Sequence, residues 1–361
     1  MPAHLDLAGS AETRGTQRGV QSGEELRRTL ALYSRIFHAI GISQSVVREH
    51  AMRVAETVAQ WNCRYVDEMD AVARAASVQE WQIYALNART EIAAQGQHGV
   101  VPECSTLVEL VRNDDTDALT HTPIGAQTWD WHHELAHSWH TQSVHGTEHS
   151  YVGLTEYGIV SKIGLNSAGV GVLFNILAHQ HDSTAGIPMH LLSADILGNA
   201  GSVEDAVDIL RSAPIASSSA FTVLDNTTMA CAEVSPAGVA ELQPSSNSAF
   251  IAHTNHFLDA RNRELAKDEA YILDSVDRWN LLAQRHHARS GPISDIDDVV
   301  ASLRSGEGEP LLCRAPDPSA GFGENWTTLA TVTIEPAARR MQVLAGMPTD
   351  AGSRAWIELT P

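Results

Sequence analysis

The sequence lacks any segment suited to entering a membrane. Its first thirty residues, MPAHLDLAGSAETRGTQRGVQSGEELRRTL, hold no apolar stretch of signal-peptide length. No later run approaches the roughly 20 apolar residues of a membrane-spanning helix. Cysteine is scarce. Cys63, Cys104, Cys231 and Cys313 stand far apart, without a CxxC pair or the density of a secreted scaffold, so reduced thiols are expected. Positive charge is also short: 24 basic against 44 acidic residues give a formal charge of -20, which repels phosphate backbones and anionic lipid surfaces. The expectation is a cytoplasmic protein that partners neither nucleic acid nor a membrane. Internal repeats are absent, and the serine-rich SSNSAF is too brief to count as low complexity.

What is present suits one large core: 43% of 361 residues are hydrophobic. From about Ser22 to Ala94 the chain has helical character. Ser22 with Glu25, and Ser77 with Glu80, have capping-box spacing, and Ser43 to Trp61 reads as a helix between them. Near Gly96 the period breaks at GQHGVVPEC, and STLVELV opens a β-rich stretch. Short apolar runs between turn signals then predict antiparallel hairpins. Helices are expected to open at Pro188 and Ser202, followed by a polar helical region to about Arg289, a Gly/Pro-rich loop around Arg314, and closing strands from Thr327. The class is α+β.

A lone cysteine is more often a small buried hydrophobe than a nucleophile. Cys104 differs in its setting, at the end of a Gly/Pro-bearing loop and the start of the first strand, with Ser105 next. An N-terminal nucleophile belongs in such a place. A strained loop can present the preceding carbonyl to the thiol, and the new terminus then heads a core strand. Cleavage between Glu103 and Cys104 would free an α-amine with a reference pKa of about 8, able to move the thiol proton.

Several pieces of sequence in one order resemble a known family: LNARTE from Leu86 to Glu91, Cys104, TWD from Thr128 to Asp130, and TEYGIVSKIGLNSAGVGV from Thr155 to Val172. They continue with GIP (Gly186 to Pro188), SSAF (Ser218 to Phe221), EVSP (Glu233 to Pro236), HTNH (His253 to His256) and CRA (Cys313 to Ala315). The chain resembles the acyl-coenzyme A:6-aminopenicillanic acid acyltransferase (isopenicillin N acyltransferase) family of N-terminal-nucleophile enzymes. The resemblance implies a four-layer αββα sandwich in one structural domain. Residues 1–103 would become a small subunit and 104–361 the catalytic one, held as a heterodimer; further homo-oligomerisation is left open. It also implies that Asp130 orients the terminal amine and that the Asn255 amide binds the oxyanion. Arg314 matches a family arginine and, with His132 and His133, is a candidate for substrate contact. Arg89 is read as structural, paired with Glu91 or a buried carboxylate. Two positions depart from the family: Glu103 stands where glycine often precedes the nucleophile, and Asn325 falls where the penicillin acyltransferase has a catalytic arginine.

The implied chemistry is hydrolysis of a small N-acyl amine or N-acyl amino acid through a Cys104 thioester, without a cofactor. The alternative is acyl transfer from coenzyme A or an amide to an amine. A different class is suggested by WHHELAHSWH, where His133, Glu134 and His137 have the HExxH order of zinc peptidases. That pattern needs a helix and a third ligand; His140 is too close for the metzincin pattern. Seven histidines between His121 and His149 make an accidental match easy, so no metal is expected at this motif.

Overall fold

The computed structural model describes residues 1–96, 104–113, 120–242, 244, 250–267, 274–289 and 293–361. Two long helices, α1 (Ala11–Ala39) and α2 (Gln44–Ala76), pack side by side after a short strand, β1 (His4–Leu7). Ser10 caps α1 and Ser43 caps α2, each side chain accepting from the backbone N–H three residues on. The cap expected at Ser22 is instead a kink within α1, where Ser22 Oγ donates back to Arg18 O at 2.7 Å. The helix expected to end at Trp61 continues to Ala76 through a break at Asn62. Ser77 is the left-handed end of α2, and Gln79 caps α3 (Glu80–Asn87), with its N–H on Gln82 Oε1 at 2.9 Å.

The two helices approach closely because glycine faces α2: a Cβ on Gly15 would stand 2.2 Å from Glu68 O, and one on Gly19 would stand 2.7 Å from Val72 O. Around these glycines Arg14 and Arg18 are buried, at 2.7 and 3.4 Å from the Glu68 carboxylate. A fourth helix, α4 (Arg89–Ala93), leads toward the segment before Cys104.

The rest of the chain forms the two central sheets. One runs β1, β4 (Trp139–Val144), β5 (Tyr151–Glu156), β6 (Ile163–Asn166), β7 (Gly171–Ile176), β8 (Ser219–Leu224), β9 (Met229–Ser235) and β10 (Gly238–Leu242). The other runs β11 (Phe250–His253), β2 (Ser105–Asn113), β3 (Thr120–His132), β12 (Trp326–Glu335), β13 (Arg340–Leu344) and β14 (Trp356–Leu359). All pairings are antiparallel except β1 with β4.

Helices α5 (Met189–Asn199) and α6 (Val203–Ser212) cover the first sheet. The short α7 (Ala260–Arg263) precedes α8 (Ser275–Ala288) and α9 (Ile296–Ser302), which cover the second. This is the four-layer αββα sandwich. Strand alternation sorts β2 between its cores: Cys104 and Val108 enter the one between the sheets, while Leu107 enters the one under α8 and α9. No helix among the described residues is long and apolar enough to cross a membrane.

Candidate active site

Cys104 is buried at the entry to β2. Its Sγ lies 3.7 Å from Asp130 O, and its own carbonyl accepts from Asn175 Nδ2 at 3.0 Å and Arg278 Nη1 at 3.1 Å. Antiparallel register sets Ser105 opposite Thr128, whose Oγ1 accepts from Ser105 N at 3.1 Å. Asp130, two residues further along β3, accepts a hydrogen bond from the Thr328 hydroxyl on Oδ1 at 2.6 Å. The neighbouring strand β12 thus fixes the acid, and β3 places it beside the nucleophile.

Asn255 follows β11, which pairs with β2 on the other side. Its Oδ1 accepts from Arg278 Nη2 at 3.2 Å and its Nδ2 donates to Ile176 O at 3.0 Å. Arg278 from α8 is therefore shared by Cys104, Ser105 Oγ at 3.1 Å and Asn255, while its Nε meets Asp274 Oδ1 at 2.8 Å. Arg314 joins the outer edge through Asp274 Oδ2 at 2.7 Å. Upstream of Asn255, His253 Nε2 lies 2.9 Å from Glu233 Oε1, and Glu233 also receives Leu258 N and Asp259 N at 2.6 and 3.0 Å. One buried carboxylate thereby holds both flanks of the HTNH turn.

The structure thus gathers Cys104, Asp130 and Asn255, with Arg314 one ion pair away. Glu103 lies outside the described residues. His132 is buried, 4.2 Å from the Trp326 ring, and burial pushes its imidazole down to about 4, so it is neutral at ordinary pH. His133 and His137 are exposed. The helix that HExxH requires does not form: His133–Leu135 is a single 3-10 turn, β4 begins at Trp139, and Glu134 Oε1 receives Gly323 N at 2.7 Å. Among the described residues no three His, Cys, Asp or Glu side chains converge as a metal site. Asn325 closes its own loop, its amide spanning Asp317 N and O at 3.0 and 2.9 Å.

Sequence reading missed Asn175, Arg278, Thr328 and Lys162. Lys162 left one trace, as one of only two lysines in the chain, set in the apolar run GIVSKIGL. It is buried with Glu156, and Arg89 pairs with Glu156 rather than with Glu91. Burial, reinforced by the Asp130 charge, pushes the Cys104 thiol up to about 11; Lys162 and Arg278 pull against that shift. A thiol so placed is protonated at neutral pH and reacts only if a neighbouring base takes its proton.

A profile of the family described as acyl-coenzyme A:6-aminopenicillanic acid acyl-transferase matches residues 116–350. The chain belongs to this family. This places it among enzymes that handle acyl groups. The Emericella nidulans acyl-coenzyme A:6-aminopenicillanic-acid-acyltransferase 40 kDa form is 27% identical over 357 residues, 96% of this chain and 93% of that protein.

Among solved structures, the Caenorhabditis elegans ortholog of N-acylethanolamine-hydrolyzing acid amidase is similar with a TM-score of 0.46 and 14% identity, covering 64% of this chain and 92% of that one. Penicillin V acylase from Agrobacterium tumefaciens gives a TM-score of 0.45 and 12% identity, over 71% and 86% of the two chains.

Proposed function

We propose that the chain is a self-processing cysteine amidohydrolase that cleaves a small N-acyl amine or N-acyl amino acid. The observation that carries this reading is the position of Cys104 at the head of central strand β2, with its carbonyl clamped by Asn175 and Arg278 and its thiol turned into the space between the sheets. Cleavage before Cys104 makes residues 1–103 and 104–361 the two subunits. In each later turnover the α-amine of Cys104 takes the thiol proton and Sγ attacks the acyl carbonyl. Asn255 Nδ2 and a backbone N–H hold the oxyanion, and the protonated amine delivers its proton to the leaving nitrogen. Water then releases the acid from the thioester. Asp130 orients the amine, and Arg314, exposed enough to reach solvent, contacts the polar end of the substrate.

Acyl transfer is the second reading, and the family and the Emericella nidulans relative favour it directly. A cysteine thioester is close in energy to an acyl-coenzyme A, so what decides is whether an acceptor amine is held in line and water is kept out. The test supplies an N-acyl substrate with and without a competing amine, and an acyl-coenzyme A with that amine. Free acid as the main product from the N-acyl substrate supports the hydrolase. Dominant new amide at millimolar amine makes the enzyme an acyltransferase.

A further inference from the structure

Two basic side chains, Arg89 and Lys162, are buried together around one carboxylate, Glu156. Arg89 forks onto Glu156 at the end of β5, with Nη2 and Nε at 2.5 and 3.0 Å from Oε2; Lys162 Nζ reaches the same oxygen at 3.4 Å. Tyr33 donates its hydroxyl to the other carboxylate oxygen. Three rings stand around the ammonium position as well: Nζ lies 4.5 Å from the centroid of Trp129, 5.5 Å from Phe174 and 5.9 Å from Trp131. Rings accommodate a cation without supplying a full counter-charge. A thiolate at Cys104 would be the second anion of the set.

The strands that hold the lysine also hold the nucleophile. Trp129 and Trp131 flank Asp130, whose carbonyl faces the Cys104 thiol, and Phe174 precedes Asn175, whose amide holds the Cys104 carbonyl. The antiparallel pairing of Ser105 with Thr128 sets Cys104 beside Trp129, so the ring nearest Lys162 Nζ belongs to the cross-strand neighbour of the thiol, and both enter the same core. Their charges act on each other across it: an ammonium at Lys162 favours the thiolate, and the thiolate favours the ammonium. Burial and then Arg89 bring Lys162 down to about 7, against Glu156 and Cys104. His190 of α5, which feels both Arg89 and Lys162, is kept neutral by burial, while the Asp130 charge opposes the thiolate and Arg278 favours it.

We propose that Lys162 accepts the Cys104 thiol proton in the first, self-cleaving reaction, a role that rests on the reading of Cys104 as the nucleophile. In the uncut chain the Cys104 nitrogen is an amide with no basic lone pair, so the α-amine that serves later turnovers does not yet exist. The neutral amine of Lys162 takes the S–H proton, and Sγ bonds to the carbonyl carbon that precedes it. As the C–N bond breaks, the Lys162 ammonium returns that proton to the departing nitrogen. Water then hydrolyses the thioester, releasing a carboxylate on the small fragment and the thiol on the large one.

The experiment follows cleavage of freshly made protein on denaturing gels for wild type, Lys162→Met, Lys162→Arg and Cys104→Ala. Arginine keeps the charge but takes no proton at neutral pH, so both lysine variants should cleave about 100-fold more slowly, as for loss of a general base. In Lys162→Met the pH at which Cys104 becomes alkylated by iodoacetamide should also rise, read by peptide mass because exposed Cys63 reacts too. Cleavage of Lys162→Arg at the wild-type rate overturns the proposal, including when Lys162→Met fails to fold, which melting curves reveal. Fragments from Cys104→Ala, or an uncut wild type that turns over substrate, overturn the reading of self-cleavage itself. An inert Cys104→Ala beside fully cleaving lysine variants overturns only the role of Lys162.

Discussion

Asn255 is gripped at both ends of its amide by groups of opposite polarity, and that fixes which end can act. Arg278 can only donate, so the atom it meets is the oxygen; Nδ2 then gives one hydrogen to Ile176 O and keeps a second for an oxyanion. Asn255→Ala should raise the barrier of kcat by about 3 kcal/mol, roughly 100-fold, as for other oxyanion donors, and should also lower the melting temperature, because Arg278 and the Ile176 carbonyl lose a buried partner. Steady-state kinetics on the cleaved enzyme would check it, and a near-wild-type rate would remove Asn255 from the mechanism.

Asp130 makes a prediction of opposite sign in two assays. Its charge raises the Cys104 thiol in the uncut chain, so Asp130→Asn in an uncleaved sample should shift alkylation of Cys104 to lower pH. The same substitution should slow turnover, because the neutral amide orients the α-ammonium less well. Alkylation that shifts upward would contradict the electrostatic assignment.

At the scale of elements, what the sequence discloses depends on whether a buried face is apolar. Helices α5 and α6 were legible because proline and serine mark their starts and leucine, isoleucine and valine fill their buried faces. The start of α1 was hidden because its buried face reads Arg14, Gly15, Arg18, Gly19 and Ser22, which no hydrophobic period reveals. The site divides the same way: Cys104, Asp130 and Asn255 sit in recognisable motifs, whereas Arg278 lies in an ordinary polar helix and acquires its role only when α8 docks on β11.

The junction of α4 with α5 carries its own prediction. Glu91 is buried and accepts from Met189 N at 2.9 Å, and burial pushes its carboxyl up to about 7. The folded state therefore holds a proton that the unfolded chain gives up near pH 4.5. Stability from this group is present below that pH and lost as pH rises through 7, on the order of 3 kcal/mol. Glu91→Gln keeps the acceptor and removes the titration, so it should raise the melting temperature at pH 8 and leave it nearly unchanged at pH 4. Equal effects at both pH values would assign Glu91 some other role.

Over the whole molecule, the proposed cut would divide a single core. Leu26, Tyr33, Val58, Met69 and Leu86 on one side pack in the same cluster as Trp129, Leu154, Ile159 and Phe174 on the other. Buried polar links cross the same boundary: Arg18 to Gln142 at 2.7 Å, Asn87 Nδ2 to Gly158 O at 2.9 Å, and Arg89 to Glu156. Separating the fragments would expose that apolar surface and break the buried Arg89–Glu156 pair. Fragments of 103 and 258 residues should therefore migrate together through a sizing column, at the position of the uncut Cys104→Ala chain, and appear separately only in denaturant. High salt should not part them, because screening acts on exposed charges, whereas these are enclosed. The column run at 0.1 and 1 M salt, with each peak checked by denaturing mass spectrometry, is the measurement. Release of the small fragment by salt would mean that surface ion pairs rather than the shared core hold the halves together.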